Sequence, residues 1–267
     1  MARNQWLHWM HSPFYLKFIQ AQSPYPSGIL YDKILRQLSI SYDSRLLMAG
    51  CGDGIKALEL AGAGYDITGT DYSAELINIA KKSETANLRF FQHDLRLPFW
   101  SNYFNVAFIT GRSFGTYDTK REHDNLIRTI AGSLLPDGYL ILEYINTPYL
   151  EQHPLADEVQ EIDSTVYDIR QGQDKTHFHS TITVTDPSLP SPEEYVHRKE
   201  KFTIAELTGM LGLRGLQVLE SFGNDELDKY DPLRSHKLVL LARKTKLEKG
   251  DAEKRIYSDG RTTDPLT

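Results

Sequence analysis

Apolar positions along the chain switch between strand-like runs and helix-like spacing, and the switches predict a series of alternating elements. Arg45 to Ala49 is a short apolar run that predicts a buried strand. It leads into Gly50-Cys51-Gly52-Asp53-Gly54 and then a helix-forming stretch, Ile55 to Ala61, which Gly62 and Gly64 close. Tyr65 to Thr70 predicts a second strand ending at Asp71. Ser73 then caps a helix running through Lys82, with Glu75 in its first turn. Leu88 to Gln92 and Val106 to Thr110 predict two further strands. A helix over Lys120 to Leu135, a Pro136-Asp137-Gly138 turn and a strand from Tyr139 to Ile145 complete the run. Strands alternating with helices on short loops predict a parallel sheet covered on both faces.

The pattern differs at both ends and in one internal stretch. The first forty residues read as helical and aromatic, with Trp6, Trp9, Phe14, Tyr15 and Phe18 before a Pro24/Pro26 break and Ile34, Leu35 and Leu38 at helical spacing after it. Between residues 150 and 202 no long helical period occurs. His177 to Val184 alternates as a half-exposed strand does, and Tyr195 to Phe202 predicts its return, so the segment reads as an inserted antiparallel ribbon. Thr203 with Glu206 has capping-box spacing, and Leu216 to Phe222 and Lys237 to Ala242 predict the last two strands. Residues 246–267 carry mixed charges and little apolar content, which predicts a disordered tail.

Composition narrows the classes. The 267 residues are 40% hydrophobic and 25% charged, which suits a globular chain with a sizeable core. A net charge of -6 argues against nucleic acid as the main partner, and no run of apolar residues is long enough to span a membrane. The N-terminus lacks the features of a secretory signal, and the single Cys51 allows neither an internal disulfide nor a cysteine-rich zinc site. A cytoplasmic location is the expectation. The oligomeric state is not encoded in any pattern of the chain.

The candidate chemistry lies at the ends of the first strands. Glycines after a buried strand let backbone approach a ligand closely, and the following helix start offers unpaired N–H groups. Asp71 falls twenty-one residues after Gly50, at the end of the second strand, where a carboxylate accepts hydrogen bonds from vicinal ribose hydroxyls. Asp94 ends the third strand on the same sheet edge, so the three turns line one nucleoside slot. A dinucleotide fingerprint would carry a glycine at position 55, where Ile55 stands, and no phosphate-binding Gly-Lys-Ser/Thr triple occurs.

The chain resembles the class I S-adenosylmethionine-dependent methyltransferases in Leu46 to Gly54, Tyr65 to Ser73, Phe91 to Leu95 and Leu135 to Tyr139. It is similar, more narrowly, to a small-molecule group with an N-terminal aromatic lid, a Ser-Phe-Gly-type loop after the fourth strand (Ser113-Phe114-Gly115) and an antiparallel insertion after the fifth. The resemblance implies an α/β, Rossmann-like, seven-stranded mostly parallel sheet whose last strand is antiparallel. It implies a lid over residues 1–40 and a methyltransferase domain over 41–245 with its ribbon at 150–202. S-adenosylmethionine would be the cofactor, S-adenosylhomocysteine its product, and a small molecule the methyl acceptor. By position, the loop Ala49, Gly50, Cys51, Gly52 and Gly54 would pass under the methionine moiety. Asp71 would hold the ribose and Tyr72 would lie against the adenine. Asp94 and Leu95 would face the adenine edge, with Thr110 and Gly111 near the sulfonium.

Candidate catalytic residues are Tyr15 in the lid, Arg112 after the fourth strand and Tyr144 near the end of the fifth. Glu143 is its neighbour, and adjacent strand residues point to opposite faces. His177 and His179 share a face, with His197 across the ribbon as the only further ligand in view, so no metal site is predicted. Met48 stands where the resembling family carries an acidic residue that orients the methionine amino group. This departure motivates a second reading, a non-catalytic protein that binds S-adenosylmethionine or S-adenosylhomocysteine. An NAD(P)-dependent oxidoreductase is the third.

Overall fold

Four of the five residues in the strand β1 (Arg45–Ala49) are buried, because sheet neighbours flank it on both sides and helices cover both its faces. The computed structural model describes residues 5–21, 29–110 and 113–245. The Pro24/Pro26 break, Gly111, Arg112 and the tail over 246–267 lie outside the described residues.

Three helices, α1 (Gln5–Met10), α2 (Pro13–Ala21) and α3 (Ile29–Gln37), come before β1, and α4 (Ile55–Gly62) comes after; α3 and α4 pack on one face of the sheet. The chain continues through β2 (Asp66–Asp71), α5 (Ala74–Ala80), β3 (Leu88–Gln92), β4 (Phe104–Ile109), α6 (Lys120–Ser133) and β5 (Leu134–Ile145). Beyond α7 (Thr147–Gln152) lie β6 (Glu158–Ile162), β7 (Thr165–Gln173), β8 (His177–Thr185) and β9 (Glu193–Glu200). The helix α8 (Ile204–Leu213) then leads to β10 (Leu216–Phe222) and β11 (Lys237–Lys244). The seven-stranded sheet has the order β10-β11-β5-β4-β1-β2-β3, with β11 antiparallel to both its neighbours and β1 to β5 parallel. This is the α/β architecture and strand direction expected from the sequence.

Alternation along each strand divides the core in two. Leu46, Met48, Phe108 and Ile141 face Tyr31 and Leu35 of α3 and Leu60 of α4. Leu47, Ala49, Ile109 and Leu142 face Leu126 and Ile130 of α6 and Leu207 of α8. The helix starts follow the capping residues in the sequence: the Ser73 hydroxyl accepts from the Leu76 amide, Thr119 from Glu122, and Thr203 and Glu206 form the full reciprocal box.

Two elements differ from the sequence reading. The Pro136-Asp137-Gly138 segment is part of β5 rather than a turn before it; Asp137 at φ +65° sits in an irregularity where the pairing with β4 slips between Phe104 and Val106. The inserted ribbon is a four-stranded antiparallel sheet, β6-β7-β8-β9. β6 and β7 escaped notice because they are rich in polar residues on one face and joined only by Asp163-Ser164, with Asp163 at φ +52°.

The two N-terminal helices dock on that inserted sheet. Trp9 and Phe14 are buried against Tyr167, Ile169, Ile182, Val184 and Tyr195. The Tyr167 hydroxyl donates to the Phe14 carbonyl at 3.0 Å, and Lys17 Nζ donates to Thr165 Oγ1 at 2.7 Å. Helix α3 instead packs on the large sheet. Trp9 meets the rings of Tyr195, Tyr15 and Phe18 at centroid distances of 5.1, 5.4 and 6.0 Å. Trp9→Ala is therefore expected to cost about 3–5 kcal/mol of the docking of α1 and α2 on the inserted sheet. Limited proteolysis checks this: cleavage between α2 and α3 should accelerate strongly, while the β1–β5 core stays intact.

Candidate active site

The loop after β1 is fastened by the end of β2. The amides of Gly50 and Cys51 both donate to the Thr70 carbonyl, at 2.8 and 2.9 Å. The Gly52 amide donates to Asp71 Oδ2 at 2.9 Å, and the Ser73 amide donates to Asp71 Oδ1 at 2.9 Å. One buried carboxylate thus ties the first and second turns of the sheet edge together. Burial raises the Asp71 pKa, with the amide donors of Ser73 and Gly52 working against that shift.

Gly52 and Gly54 differ in what surrounds them. Gly52, at φ +59°, has no atom within 4 Å of where a Cβ would stand, so the loop is open there. Gly54, at φ +85°, leaves 2.6 Å to Phe90 Cζ and 2.9 Å to Ala80 Cβ, and it is the residue from which α4 starts. Ala49 and Gly50 are held from the far side: the Thr110 amide donates to the Ala49 carbonyl at 3.3 Å, and Thr110 Oγ1 donates to the Gly50 carbonyl at 2.8 Å. The Cys51 side chain points into the core, where burial and the nearby Asp71 carboxylate push its thiol pKa well up.

The third turn is closed by a residue that sequence reasoning missed. Arg96 Nε lies 3.0 and 3.1 Å from the two Asp94 carboxylate oxygens, its Nη2 lies 2.8 Å from Oδ2, and its Nη1 reaches Glu122 Oε1 at 2.6 Å. Burial opposes the charged form of Asp94, but the Arg96 hydrogen bonds outweigh it and hold the pKa below the usual carboxylate value. The Asp94 carboxylate is thus turned to Arg96, although it stands on the expected edge. The only sequence signal was a cation two residues on in a turn. Leu95 is buried in the core against the α6 side of the sheet. Tyr72 is half-buried beneath the corner between α1 and α2, where the His11 ring meets it at 5.5 Å and His11 Nδ1 lies 3.9 Å from Glu75.

Residues 46–138 match a family model described as a methyltransferase domain. They hold the glycine loop, Asp71, Asp94 and Thr110. Over those residues the chain is thus similar to a methyltransferase domain. It is 26% identical over 220 residues to YqeM of Bacillus subtilis (strain 168), a protein named as a methyltransferase, covering 79% of this chain and 88% of YqeM. In fold it is similar to an S-adenosylmethionine-dependent methyltransferase of Clostridium acetobutylicum ATCC 824, with a TM-score of 0.72, 14% identity and coverage of 91% of this chain and 99% of that one. It is similar also to the sugar N-methyltransferase KedS8 of Streptoalloteichus sp ATCC 53650, with a TM-score of 0.66, 15% identity and coverage of 88% and 94%.

The fold sets the catalytic candidates apart. Tyr15 of α2 packs against Trp9 and the inserted-sheet cluster. Arg112, like Gly111, lies outside the described residues. Tyr144 corrects the expectation of a group open to an acceptor: it is buried, and its hydroxyl donates to the Glu200 carbonyl. A ring on the α6 face of β5 is surrounded by Phe114 and Phe202, so the hydroxyl serves as a strut between β5 and the end of β9. Glu143, on the opposite face, accepts from the Tyr31 hydroxyl at 2.7 Å. Lys237 and Lys56 stand 3.5 and 3.9 Å from its carboxylate. Met48 is fully buried on that face.

His177 and His179 do share a face of β8. His197 pairs with Ser180, however, and so belongs to the other face, which separates the only three histidines considered as ligands. No metal-binding cluster occurs among the described residues. On the face that carries His197 and Lys199, a cavity of about 180 Å³ lies between the inserted sheet and the chain after β5.

His123 of α6 anchors the loop after β4. Its Nε2 accepts from the Tyr117 amide at 3.3 Å, its Nδ1 faces the Thr119 carbonyl at 3.0 Å, and Phe114, Tyr117 and Phe202 surround the ring. Burial lowers its pKa from 6.5 to about 4. The unfolded chain therefore binds an extra proton between those values, and stability falls as pH drops through that window. On going from pH 7 to pH 5, urea unfolding should show the wild type losing roughly 2 kcal/mol more than His123→Gln does. The two glycines give a second test. Gly52→Ala should cost about 1–2 kcal/mol from its dihedral alone, whereas Gly54→Ala should cost distinctly more because its Cβ meets Phe90. Chemical denaturation of both variants orders them.

Proposed function

We propose that this protein transfers a methyl group from S-adenosylmethionine to a small-molecule acceptor. The carrying observation is the open space at Gly52, in a loop whose neighbours are pinned by Thr70, Asp71 and Thr110. Such a cradle, rigid and vacant at one backbone position, fits an adenosyl sulfonium laid along the sheet edge. The sulfonium supplies an electrophilic methyl: the acceptor's electron pair forms the new bond while the carbon–sulfur bond breaks and its pair stays on sulfur.

The residues of the chain act by position. Ala49 to Gly54 hold the methionine moiety with backbone groups, Asp71 keeps lone pairs for the ribose hydroxyls beyond its two amide donors, and Tyr72 stacks at the adenine. Thr110 with Gly111 borders the sulfonium. Backbone carbonyls of the loop take the amino group in place of the carboxylate that Met48 replaces. Asp94 and Leu95 serve the adenine edge after Arg96 yields part of its hold on Asp94. Tyr15 and Arg112 remain the side chains proposed to orient the acceptor, with water excluded by the lid. A small-molecule acceptor is supported by the net charge of -6 and by the fold shared with a sugar N-methyltransferase. No described helix is long and apolar enough to cross a membrane, and the lone cysteine accords with a cytoplasmic setting.

S-adenosylhomocysteine at a hundred times its dissociation constant should raise unfolding stability by about 2.7 kcal/mol. Asp71→Ala should lower the stability of the ligand-free protein, since two amides lose their acceptor, and should also remove most of the ligand-induced gain. Thermal unfolding with and without S-adenosylhomocysteine measures both. An unchanged wild-type melting curve overturns the reading. Binding with no S-adenosylhomocysteine formed across amine, phenol and carboxylate acceptors favours the non-catalytic alternative.

A further inference from the structure

We propose that Arg96 is the positioning residue that sets the base specificity of the nucleoside slot: by fixing Asp94 as a carboxylate that only accepts hydrogen bonds, it selects a 6-aminopurine over a 6-oxopurine. The inference rests on the methyl-transfer reading and names how that site chooses its base. Arg96 acts through Asp94, two residues before it on the turn after β3. The Arg96 and Asp94 side chains are 18% and 20% exposed, so the pair is better shielded from solvent than an ordinary surface ion pair.

The hydrogen bonds around Asp94 leave one place for a ligand. Its Oδ1 accepts from the Arg96 amide at 2.9 Å and from Arg96 Nε at 3.0 Å, and its Oδ2 accepts from Nη2 at 2.8 Å and from the same Nε at 3.1 Å. Nε carries a single hydrogen, shared here between the two oxygens. When that hydrogen settles on Oδ1, a lone pair of Oδ2 is released, while Nη2 keeps its hold. The guanidinium itself stays in place, because Nη1 donates to Glu122 Oε1 at 2.6 Å and the Thr119 hydroxyl donates to Oε2 of the same carboxylate at 2.9 Å. Its carbon lies 5.4 Å from the centre of the Tyr117 ring. Arg96 is thus clamped from α6 and from the loop after β4.

An ionised carboxylate offers acceptors only, whereas a protonated one also offers a donor. A 6-aminopurine presents an N–H at that edge and a 6-oxopurine presents an oxygen. Only the ionised form therefore rejects the oxo base, which is left with one acceptor facing another. Burial favours the protonated form of Asp94, but the hydrogen bonds and charge of Arg96 outweigh it and hold the pKa below the usual carboxylate value. Three other groups surround the pair. His93 of the same turn, when charged, works in the same direction as Arg96. Tyr117, from the loop after β4, has its own pKa raised by burial and by Asp94, so its hydroxyl keeps its proton. Glu122 of α6 pairs with Arg96. Without the Arg96 side chain, burial raises the Asp94 pKa and the carboxylate takes up a proton as the pH falls.

The test compares S-adenosylhomocysteine with S-inosylhomocysteine, its 6-oxo counterpart, by isothermal titration of the full-length protein at pH 7 and at pH 5. The wild type should favour S-adenosylhomocysteine about tenfold or more at both values. In Arg96→Met the preference should be smaller at pH 7 and smaller still at pH 5. Arg96→Lys restores a cation without the fork, so it should regain the flat pH profile but not the full preference. His93 is common to all three proteins, so the contrast between them reports on Asp94. A purely structural Arg96 would weaken both ligands together and leave their ratio untouched. Equal binding of the two ligands by the wild type, or the wild-type ratio in Arg96→Met, overturns the assignment; where Arg96→Met does not fold, the wild-type ratio in Arg96→Lys overturns it. Failure of the wild type to bind either ligand would instead strike the methyl-transfer reading, so the two failures are distinguishable.

Discussion

A single buried carboxylate organises the sheet edge. Asp71 accepts from Gly52 on one side and Ser73 on the other, so the loop after β1 and the start of α5 are fixed to the same group. The backbone turns taken by Gly52 and Gly54 are unfavourable for other residues, and the hydrogen bonds to Thr70 and Asp71 hold the loop in them. Polar groups left without partners at that depth would cost more than the strain, so the loop is held in one conformation with an open face. A site assembled in this way is preorganised: little ordering remains to be done when a ligand arrives.

The second half of the molecule depends on a different tie. The inserted sheet could swing freely on its two connections, but the Glu200 amide donates to the Gly115 carbonyl at 2.7 Å and the Glu200 carbonyl accepts from Tyr144. His123 holds the adjoining loop through the Tyr117 amide. The lid helices then share an aromatic cluster with the same sheet. The N-terminal helices, the insert and the loop after β4 are consequently coupled, and movement of one would disturb packing in the others.

The sheet edge and the cavity beside the inserted sheet differ in character. Around the turns after β1, β2 and β3, carboxylates and backbone groups dominate, and Arg96 pairs with both Asp94 and Glu122. Around the cavity, the walls are mostly apolar and the charged lining group is a lysine. The buried Glu143, balanced by Lys56 and Lys237, belongs to neither side and ties β5 to α3, α4 and β11.

The sequence by itself determined the alternating elements of the large sheet, the caps at Ser73 and Thr203, the glycine loop and the placing of Asp71 and Asp94 at neighbouring strand ends. These are local signals: burial period, cap chemistry and turn residues act within a few positions. Tertiary structure alone decided that Arg96 would occupy Asp94, that the Tyr144 hydroxyl would be spent on Glu200, and that His197 would face away from His177 and His179. It also decided the size of the inserted sheet, since β6 and β7 are polar strands that become recognisable only through the pairing of β6 with β7 and of β7 with β8. Partners distant along the chain are selected by packing and by the need to satisfy buried polar groups, and neither has a signature at a single position.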